Sequence, residues 1–587
     1  MIASLDLAGS VMTVSMGETS DAFNVSGTTY TATQGNGATL TFDGGSNIFT
    51  YTRSDGTIVH FDKNKSTPAP FFANSGRVTD IVSKSGAKLS YSYDVADYCT
   101  HTTYPHGEPP ICTTHQSAYR IRNITNSFGY RISFTYYLDS FDPDTGDSSF
   151  ASNWSRVTSA SVANLATGGS VLASQAFGLS LVGSSVYFNF TDSTGRSTRY
   201  GFTDGKVTGI KHPGFSSDDV TVAYDGSGKV ASVTDKGVTT SYAYADLSGV
   251  RTTTVTNALS QATIYTFDIA TSQMKTMKDA QNHQTAWAYD ASGRVTRITH
   301  PEGNYVNYTY DARGNVTETR VVAKSGSGLA DIVRTASFDA TCSNAKTCNQ
   351  PNAITDARGA VTSYTYDATH GGVTLVTAPA PVAGARQPQT RYSYTALQAF
   401  FDRGGGIVAS GEPVYQLTGI SSCQVTASCG GTADQSDDAT VAYTDNGQQA
   451  SATDAGGNQT TYEYDGFDRL LKTRYPVATA GSGTSSTTDY EQLGYDANGN
   501  VTSRRLRDGQ SIAYTYDALN RLTLKDLPSA EADISYGYDL LGRPTSIGSS
   551  AQTLSFTYDA LGRNLTQVGP NGTVSSQYDL GGGGASG

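Results

Sequence analysis

The sequence has 587 residues, with 40 basic and 52 acidic side chains and a formal net charge of −12. A protein that binds phosphate backbones needs a basic face, and because no run of Lys and Arg occurs, we expect no nucleic-acid partner. No apolar run reaches the roughly 18 residues needed for a transmembrane helix. The length exceeds that of a usual single core, which favours several domains or a repeat array.

The composition predicts many short strands. Tyr (37) outnumbers Phe (21) and Trp (2), and Gly (62) is abundant. This composition suits sheets whose faces are partly exposed to solvent better than a large buried core. Residues 1–65 alternate apolar and polar positions between Gly-rich turns, as in 38–42, 48–51 and 57–61. We therefore predict a nearly all-β chain that opens with a β-rich N-terminal capping section.

Residues 66–219 are predicted to hold divergent repeats interrupted by an insertion rich in cysteine and histidine. The insertion contains Cys99, His101, His106, Cys112 and His115. Thiolate and imidazole donors from one short loop can build a tetrahedral zinc site, but this spacing fits no established zinc pattern. We therefore favour a disulfide between Cys99 and Cys112 with histidines that face solvent, and we expect no cofactor.

The six cysteines fall into three close pairs. These are Cys99 with Cys112, Cys342 with Cys348, and Cys423 with Cys429. The even number of cysteines and their close spacing predict three small loops, each closed by a disulfide, and a location in an oxidising compartment. The alternative is six reduced thiols in the cytosol.

Residues 220–580 are predicted to be a repeat array, and residues 581–587 a flexible Gly-rich tail. The unit is clearest in the stretch from Trp287 to Thr296. Trp287 and Tyr289 share one face of a strand because successive side chains alternate. Asp290 opens a turn by accepting from backbone N–H groups, and Gly293 takes the positive φ that ends it.

The same Tyr-Asp step recurs through the array and, in its last run, returns every 20–22 residues, about the length of one two-stranded hairpin. The positions that we take to define the repeat are Tyr289, Asp290, Gly293, Tyr310, Asp311, Gly314, Tyr516, Asp517, Tyr538, Asp539, Tyr558 and Asp559. The turn explains these aspartates without acid–base chemistry, and cross-strand ladders explain most of the aromatic residues. No phosphate loop or nucleophile motif is visible, so we expect no enzyme.

With these tandem copies, such as Tyr308 to Thr317 and Tyr514 to Leu522, the chain resembles the RHS/YD-repeat family. The resemblance implies β-hairpins wound into a spiralling sheet or open shell. In bacterial relatives such a shell encloses a toxic C-terminal domain, and in teneurins it is an adhesion ectodomain. The Asp-Pro- and Gly-Arg-rich segment with which toxin-bearing relatives close the shell is not found here. We therefore transfer neither self-cleavage nor an effector domain from these relatives to this chain.

We expect a non-enzymatic shell or scaffold of a secreted or surface protein, part of a toxin-encapsulating container. The alternative is a cell-surface adhesin or carbohydrate-binding module that uses exposed repeat aromatics. The expected partners are a missing C-terminal remainder or another chain at the open sheet edge, a cargo toxin, or glycans. Residues 1–10 lack the features of a signal peptide, so the extracellular location implies a fragment of a longer protein or export without such a signal.

Overall fold

The computed structural model describes residues 3–17, 19–65, 76–103, 111–138, 154–182, 185–397, 400–402, 407–409, 413–423, 437–528, 531–559 and 562–578. The backbone of this part is almost entirely extended, with two short 3₁₀ helices at Lys63–Lys65 and Leu165–Thr167. Forty-five of its strands form one antiparallel sheet, and β32 (Phe400–Asp402) and β33 (Ile407–Ala409) form a separate pair. The chain is therefore nearly all β, as the sequence predicts.

The strands up to residue 211 are β1 (Ala3–Ala8), β2 (Val11–Met16), β3 (Thr19–Ser26), β4 (Thr29–Ala32), β5 (Thr39–Asp43), β6 (Ile48–Thr52), β7 (Ile58–Asp62), β8 (Gly76–Val82), β9 (Lys88–Thr103), β10 (Ile111–Asn126), β11 (Tyr130–Tyr136), β12 (Val157–Asn164), β13 (Val171–Val182), β14 (Ser185–Thr191), β15 (Ser197–Thr203) and β16 (Lys206–Lys211).

The strands from residue 220 to residue 397 are β17 (Val220–Tyr224), β18 (Val230–Asp235), β19 (Val238–Leu247), β20 (Val250–Thr256), β21 (Ala262–Asp268), β22 (Met274–Lys278), β23 (Gln284–Tyr289), β24 (Val295–Thr299), β25 (Tyr305–Tyr310), β26 (Val316–Val322), β27 (Ile332–Ser337), β28 (Ala353–Thr355), β29 (Val361–Tyr366), β30 (Val373–Thr377) and β31 (Gln389–Leu397).

The remaining strands of the large sheet are β34 (Val414–Cys423), β35 (Asp437–Tyr443), β36 (Gln449–Thr453), β37 (Gln459–Tyr464), β38 (Leu470–Pro476), β39 (Ser485–Tyr495), β40 (Val501–Arg505), β41 (Ser511–Tyr516), β42 (Leu522–Asp526), β43 (Ile534–Tyr538), β44 (Pro544–Gly548), β45 (Thr553–Tyr558), β46 (Asn564–Gly569) and β47 (Gly572–Ser575).

The sheet is a continuous meander with one branch point, at β8. From β5 onwards each strand pairs with the next along the chain, and β31 pairs directly with β34. One edge of β8 pairs with β7, while the other edge is shared by β1 and β9. Strands β1 to β4 therefore form a branch of the sheet that is joined to the meander at β8 and packs over strands β5 to β8.

The dry core of the molecule lies in this N-terminal branch. Leu5, Phe23, Val59 and Phe61 are fully buried in a cluster that also takes in Tyr91. Burying such side chains contributes about 1.5–3 kcal/mol each. The packed core thus continues past residue 65 and anchors the start of the meander.

The rest of the sheet is a single layer. Along β29, Tyr364 and Tyr366 are half-buried while Val361, Ser363 and Thr365 are exposed. In the described residues from 220 onwards, the only buried apolar side chains are those of Cys348, Val414 and Ile512. Because few side chains are dry, backbone pairing and the contacts between hairpins hold this part together.

The single layer coils on itself with a repeat of roughly 300 residues. Hydrogen bonds join side chains to partners 259 to 318 positions away along the chain. We call residues 35–236 the first coil, residues 290–542 the second coil, and their line of contact the seam. The seam contacts come from turns such as 53–57 and 290–294, so the hairpins of the two coils meet tip to tip.

Candidate functional site: the repeat junctions and the seam

Each repeat turn is closed by its aspartate. Asp290 Oδ1 accepts from the backbone N–H of Ser292 at 2.9 Å and of Arg294 at 3.0 Å, and Asp290 Oδ2 accepts from Arg294 Nε at 2.7 Å. Gly293 has a φ of 80°, in the left-handed region that favours glycine. The aspartate is therefore fully engaged by its own turn, which leaves little of it for chemistry.

The same turn repeats with small changes. An arginine binds its aspartate through Nε at 2.6–2.7 Å in the turns of Asp465, Asp517, Asp539 and Asp559. Asn315 and Asn500 replace the arginine and donate through Nδ2 to Asp311 and Asp496. Partial burial would raise the pKa of Asp290 and Asp517, but the hydrogen bonds from the turn lower it below its ordinary value.

The repeat tyrosine joins each hairpin to the one before it. All eleven Tyr-Asp tyrosines donate their hydroxyl to a backbone carbonyl of the preceding hairpin, at 2.7–2.9 Å. The residues are Tyr93, Tyr224, Tyr289, Tyr310, Tyr366, Tyr464, Tyr495, Tyr516, Tyr538, Tyr558 and Tyr578. Burial raises the pKa of Tyr366 to about 12, so this hydroxyl keeps its proton and remains a donor.

The turn arginine makes a second connection between hairpins. Arg521 stacks over the ring of Tyr538 at 4.8 Å and donates Nη1 to the backbone carbonyl of Asp539 at 3.0 Å. Arg294 does the same with Tyr310 and Asp311. A cation over an aromatic ring contributes about 0.5–1 kcal/mol when exposed. These rings already have one face covered, which limits their use for stacking on a sugar.

The second coil presents Tyr-Asp turns, such as that of Asp290, and other turns and loops to the seam. Arg294 Nη1 donates to the carbonyl of Gly35 at 3.2 Å, and Asn349 Nδ2 donates to that of Ser54 at 3.1 Å. Further along, Asn446 Nδ2 donates to the carbonyl of Phe128 at 2.7 Å. The seam is therefore a row of turn-to-turn hydrogen bonds, and the signature turn serves both the hairpin and the coil.

Two cavities open along the seam. One, of about 440 Å³, lies between first-coil residues that include Phe190 and His212 and the second-coil turn at Leu519. The other, of about 500 Å³, lies between His60 and Lys346. His60 Nδ1 lies 2.7 Å from Asp80 Oδ1. Partial burial raises the pKa of Asp80, but the interactions with His60 and its other polar neighbours outweigh burial, so the pKa is lower than its ordinary value.

Only part of the predicted cysteine chemistry falls within the described side chains. Cys342 and Cys348 are joined by a disulfide with a Cα–Cα distance of 5.0 Å. The side chains of Cys99, His101, Cys112, His115 and Cys423 lie outside those described, as do His106 and Cys429 altogether. The zinc reading and the other two disulfides therefore stay predictions.

Metal chemistry finds no support elsewhere in the described part of the chain, where no group of three or more His, Cys, Asp or Glu residues could hold an ion. No helix in these same ranges is long and apolar enough to cross a membrane. Sequence reasoning missed the seam residues, Asn349 and Asn446 above all. Their partners lie about 300 residues away, and no local pattern marks them.

The comparisons with known proteins agree with the repeat pattern. The RHS Repeat family matches residues 270–305, 289–325, 443–480 and 495–532. No curated protein matches the chain.

Three of the solved structures to which the chain is similar are TcdB2-TccC3 complexes. The crystal structure of TcdB2-TccC3 is 14% identical with a TM-score of 0.44, over 93% of this chain and 30% of that one. TcdB2-TccC3 without hypervariable C-terminal region is 12% identical with a TM-score of 0.45, over 93% and 32%. TcdB2-TccC3-Cdc42 is 14% identical with a TM-score of 0.41, over 82% and 24%. The chain thus spans about a third or less of these proteins.

Proposed function

We propose that this chain, four stretches of which match the RHS Repeat family, is a non-enzymatic scaffold whose coiled sheet encloses a space for cargo. The observation that carries the proposal is a single-layered sheet that meets itself after roughly 300 residues. A sheet one layer thick has two faces. One of them must enclose whatever lies inside the coil.

The exposure of the described residues supports an enclosed space. From residue 220 onwards, the only buried apolar side chains in the described part of the chain are those of Cys348, Val414 and Ile512. A solid globule hides its interior, but a thin shell keeps both faces accessible to solvent. This pattern of exposure is therefore the one expected of a hollow or trough-like body.

The coil also sets the size of the cargo. Between Ser54 and Asn349, which meet at the seam, the large sheet advances 21 strands, from β7 to β27. At about 4.8 Å per strand the circumference is about 100 Å and the diameter about 30 Å. Side chains narrow the bore further, so the space suits an extended segment or a very small domain.

We extend the proposal to the location of the protein and to the nature of its cargo. A disulfide between Cys342 and Cys348 suits an oxidising compartment, which supports a secreted or surface-exposed container. The family resemblance points to a toxic polypeptide as cargo. The partner proposed at the open sheet edge is another segment of protein or a second chain, because an unpaired strand edge can pair with either.

Small-angle X-ray scattering tests the enclosed space. A solid protein of this length has a radius of gyration of roughly 25 Å, and we expect a clearly larger value with a secondary maximum typical of a hollow body. A smooth curve at the solid-sphere value would overturn the container and leave a densely packed scaffold.

A fusion tests the cargo. An extended peptide of about 40 residues with several trypsin sites would be appended after Gly587 and digested in parallel with the free peptide. Protection of the fused peptide is the expected result. Digestion at the rate of the free peptide, in a shell that scatters as hollow, would reject the cargo role alone.

A further inference from the structure

The disulfide-closed loop 342–348 lies directly on the seam. Its backbone approaches the turn at residues 53–57 of the first coil, where a Cβ on Gly56 would lie 3.0 Å from Lys346 Cα and 3.2 Å from the carbonyl oxygen of Ala345. Asn349, next to Cys348, donates to the carbonyl of Ser54 at 3.1 Å. Lys84 of the first coil donates to Gln350 Oε1 at 3.4 Å.

Arg313 holds the loop from the second coil. Its guanidinium donates to the carbonyl of Cys348 at 3.3 Å and its Nε to Asn349 Oδ1 at 3.1 Å. Asn315 donates to the same oxygen of Asn349 at 3.1 Å. Asn349 is therefore oriented by two donors of its own coil while it donates to the other coil, and its position depends on the path of the loop.

The two cysteines differ in their exposure to solvent. Cys342 is an exposed residue, whereas Cys348 is 0% exposed. A nucleophilic thiolate from solvent therefore approaches the disulfide on the side of Cys342, and the buried Cys348 is the leaving group.

We propose that the Cys342–Cys348 disulfide is a site of thiol–disulfide exchange with a dithiol reductant, and that its reduction loosens the seam between the two coils. A thiolate of the reductant attacks the sulfur of Cys342 and forms a mixed disulfide, while Cys348 departs as a thiolate and takes up a proton. The second thiol of the reductant then displaces Cys342. The reductant becomes a disulfide, and the protein gains two thiols from two electrons and two protons.

Reduction acts on the seam because the cross-link fixes where the loop ends. Free ends give the loop more conformations, and Asn349 loses the single position in which it satisfies Arg313, Asn315 and Ser54 together. The bond to Ser54 is the one that crosses the seam. This loosening of the seam does not depend on the cargo proposed above.

The experiment uses the full chain with the other cysteines replaced (C99S, C112S, C423S, C429S), so that the reductant acts on one disulfide. The folded protein is treated with dithiothreitol, free thiols are counted by alkylation and mass spectrometry, and hydrogen exchange is followed at the amides of Arg53 and Gly56. We expect two new thiols and exchange at least tenfold faster at these first-coil amides.

The seam at Asn446 and Phe128 is the internal reference. Amides near it, such as those of Gly129 and Gly447, should not change on reduction. Asn349→Ala, which leaves the disulfide intact, should speed exchange at Arg53 and Gly56 without dithiothreitol. Failure of the disulfide to react in the folded protein, or reduction that leaves the amides of Arg53 and Gly56 unchanged, would overturn the proposal.

Discussion

At the scale of the residue, the repeat aspartate is a structural anion. Asp517 accepts from the backbone N–H of Leu519 and from the backbone and guanidinium of Arg521, at 2.7–3.0 Å. Partial burial would raise the pKa of Asp517, but these hydrogen bonds outweigh burial and lower it. The balance is stronger at Asp192, whose pKa is lowered to about 2. Each turn is therefore most stable when its aspartate is ionised.

This gives a pH dependence with a definite sign. Because the pKa of Asp517 is lower in the folded chain than in the unfolded one, its stabilisation is complete above about pH 4 and is lost as the pH falls through the folded value. Asp517→Asn should therefore destabilise by about 1 kcal/mol at pH 7, and the difference from the unmodified protein should shrink towards pH 2. Thermal unfolding at both pH values measures it.

Asp508 supplies the matched control for that prediction. Its carboxylate accepts from the backbone N–H of Gln510 at 2.9 Å and has no arginine partner among the contacts of the described residues. Asp508→Asn should change the melting temperature little at either pH. A difference at Asp517 that is the same at pH 7 and pH 2 would contradict the charge-based account.

At the scale of the element, the hairpin was predictable and the junction only partly so. Period-two aromatics, an aspartate and a glycine with positive φ specify strand, turn and return strand from Tyr289 to Val295, because these signals act over a few residues. The sequence also favoured ladders between hairpins for the tyrosines. It did not reveal that Arg521 joins three groups, Asp517, Tyr538 and the carbonyl of Asp539, since that depends on the stacking distance of adjacent hairpins.

The junction can be tested at one hydroxyl. Tyr538→Phe removes the hydrogen bond to the carbonyl of Leu522, 2.9 Å long, and should destabilise the two adjoining hairpins by about 1 kcal/mol. Tyr536→Phe, on the same strand, is the control, because no hydroxyl partner for Tyr536 occurs among the described residues. Hydrogen exchange in β42 and β43 should speed up several-fold for the first variant and hardly for the second. Equal effects would show that ring packing alone joins the repeats.

At the scale of the whole molecule, the seam decides whether the sheet is a closed coil or an open ribbon. Each hairpin contacts mainly its neighbours in the chain, as in other repeat proteins, and such an array has no local reason to return to itself. The return is made by turn contacts such as those of Arg294 and Asn446 with the first coil. Their register depends on the accumulated twist and curvature of about 20 strands, so it could not be read from the sequence.

Gly314 provides the sharpest test of the closed coil. It has a φ of 86°, and a Cβ on it would overlap the carbonyl oxygen of Gly35 on the first coil. Gly303 has a φ of 85° in the adjacent turn and no atom within 4 Å of its Cβ position. Gly303→Ala therefore carries the same backbone strain, about 1–2 kcal/mol, without a steric clash.

We expect Gly314→Ala to lower the melting temperature further than Gly303→Ala and to increase the radius of gyration in scattering, because the overlap can be relieved only by parting the coils. Hydrogen exchange near Gly35 should rise in Gly314→Ala alone. Identical behaviour of the two variants would mean that the turns bear the strain locally and that the seam does not hold the coil closed. A larger particle with an intact melting profile would mean that the hairpins fold without the seam and that closure is a separate, weaker step.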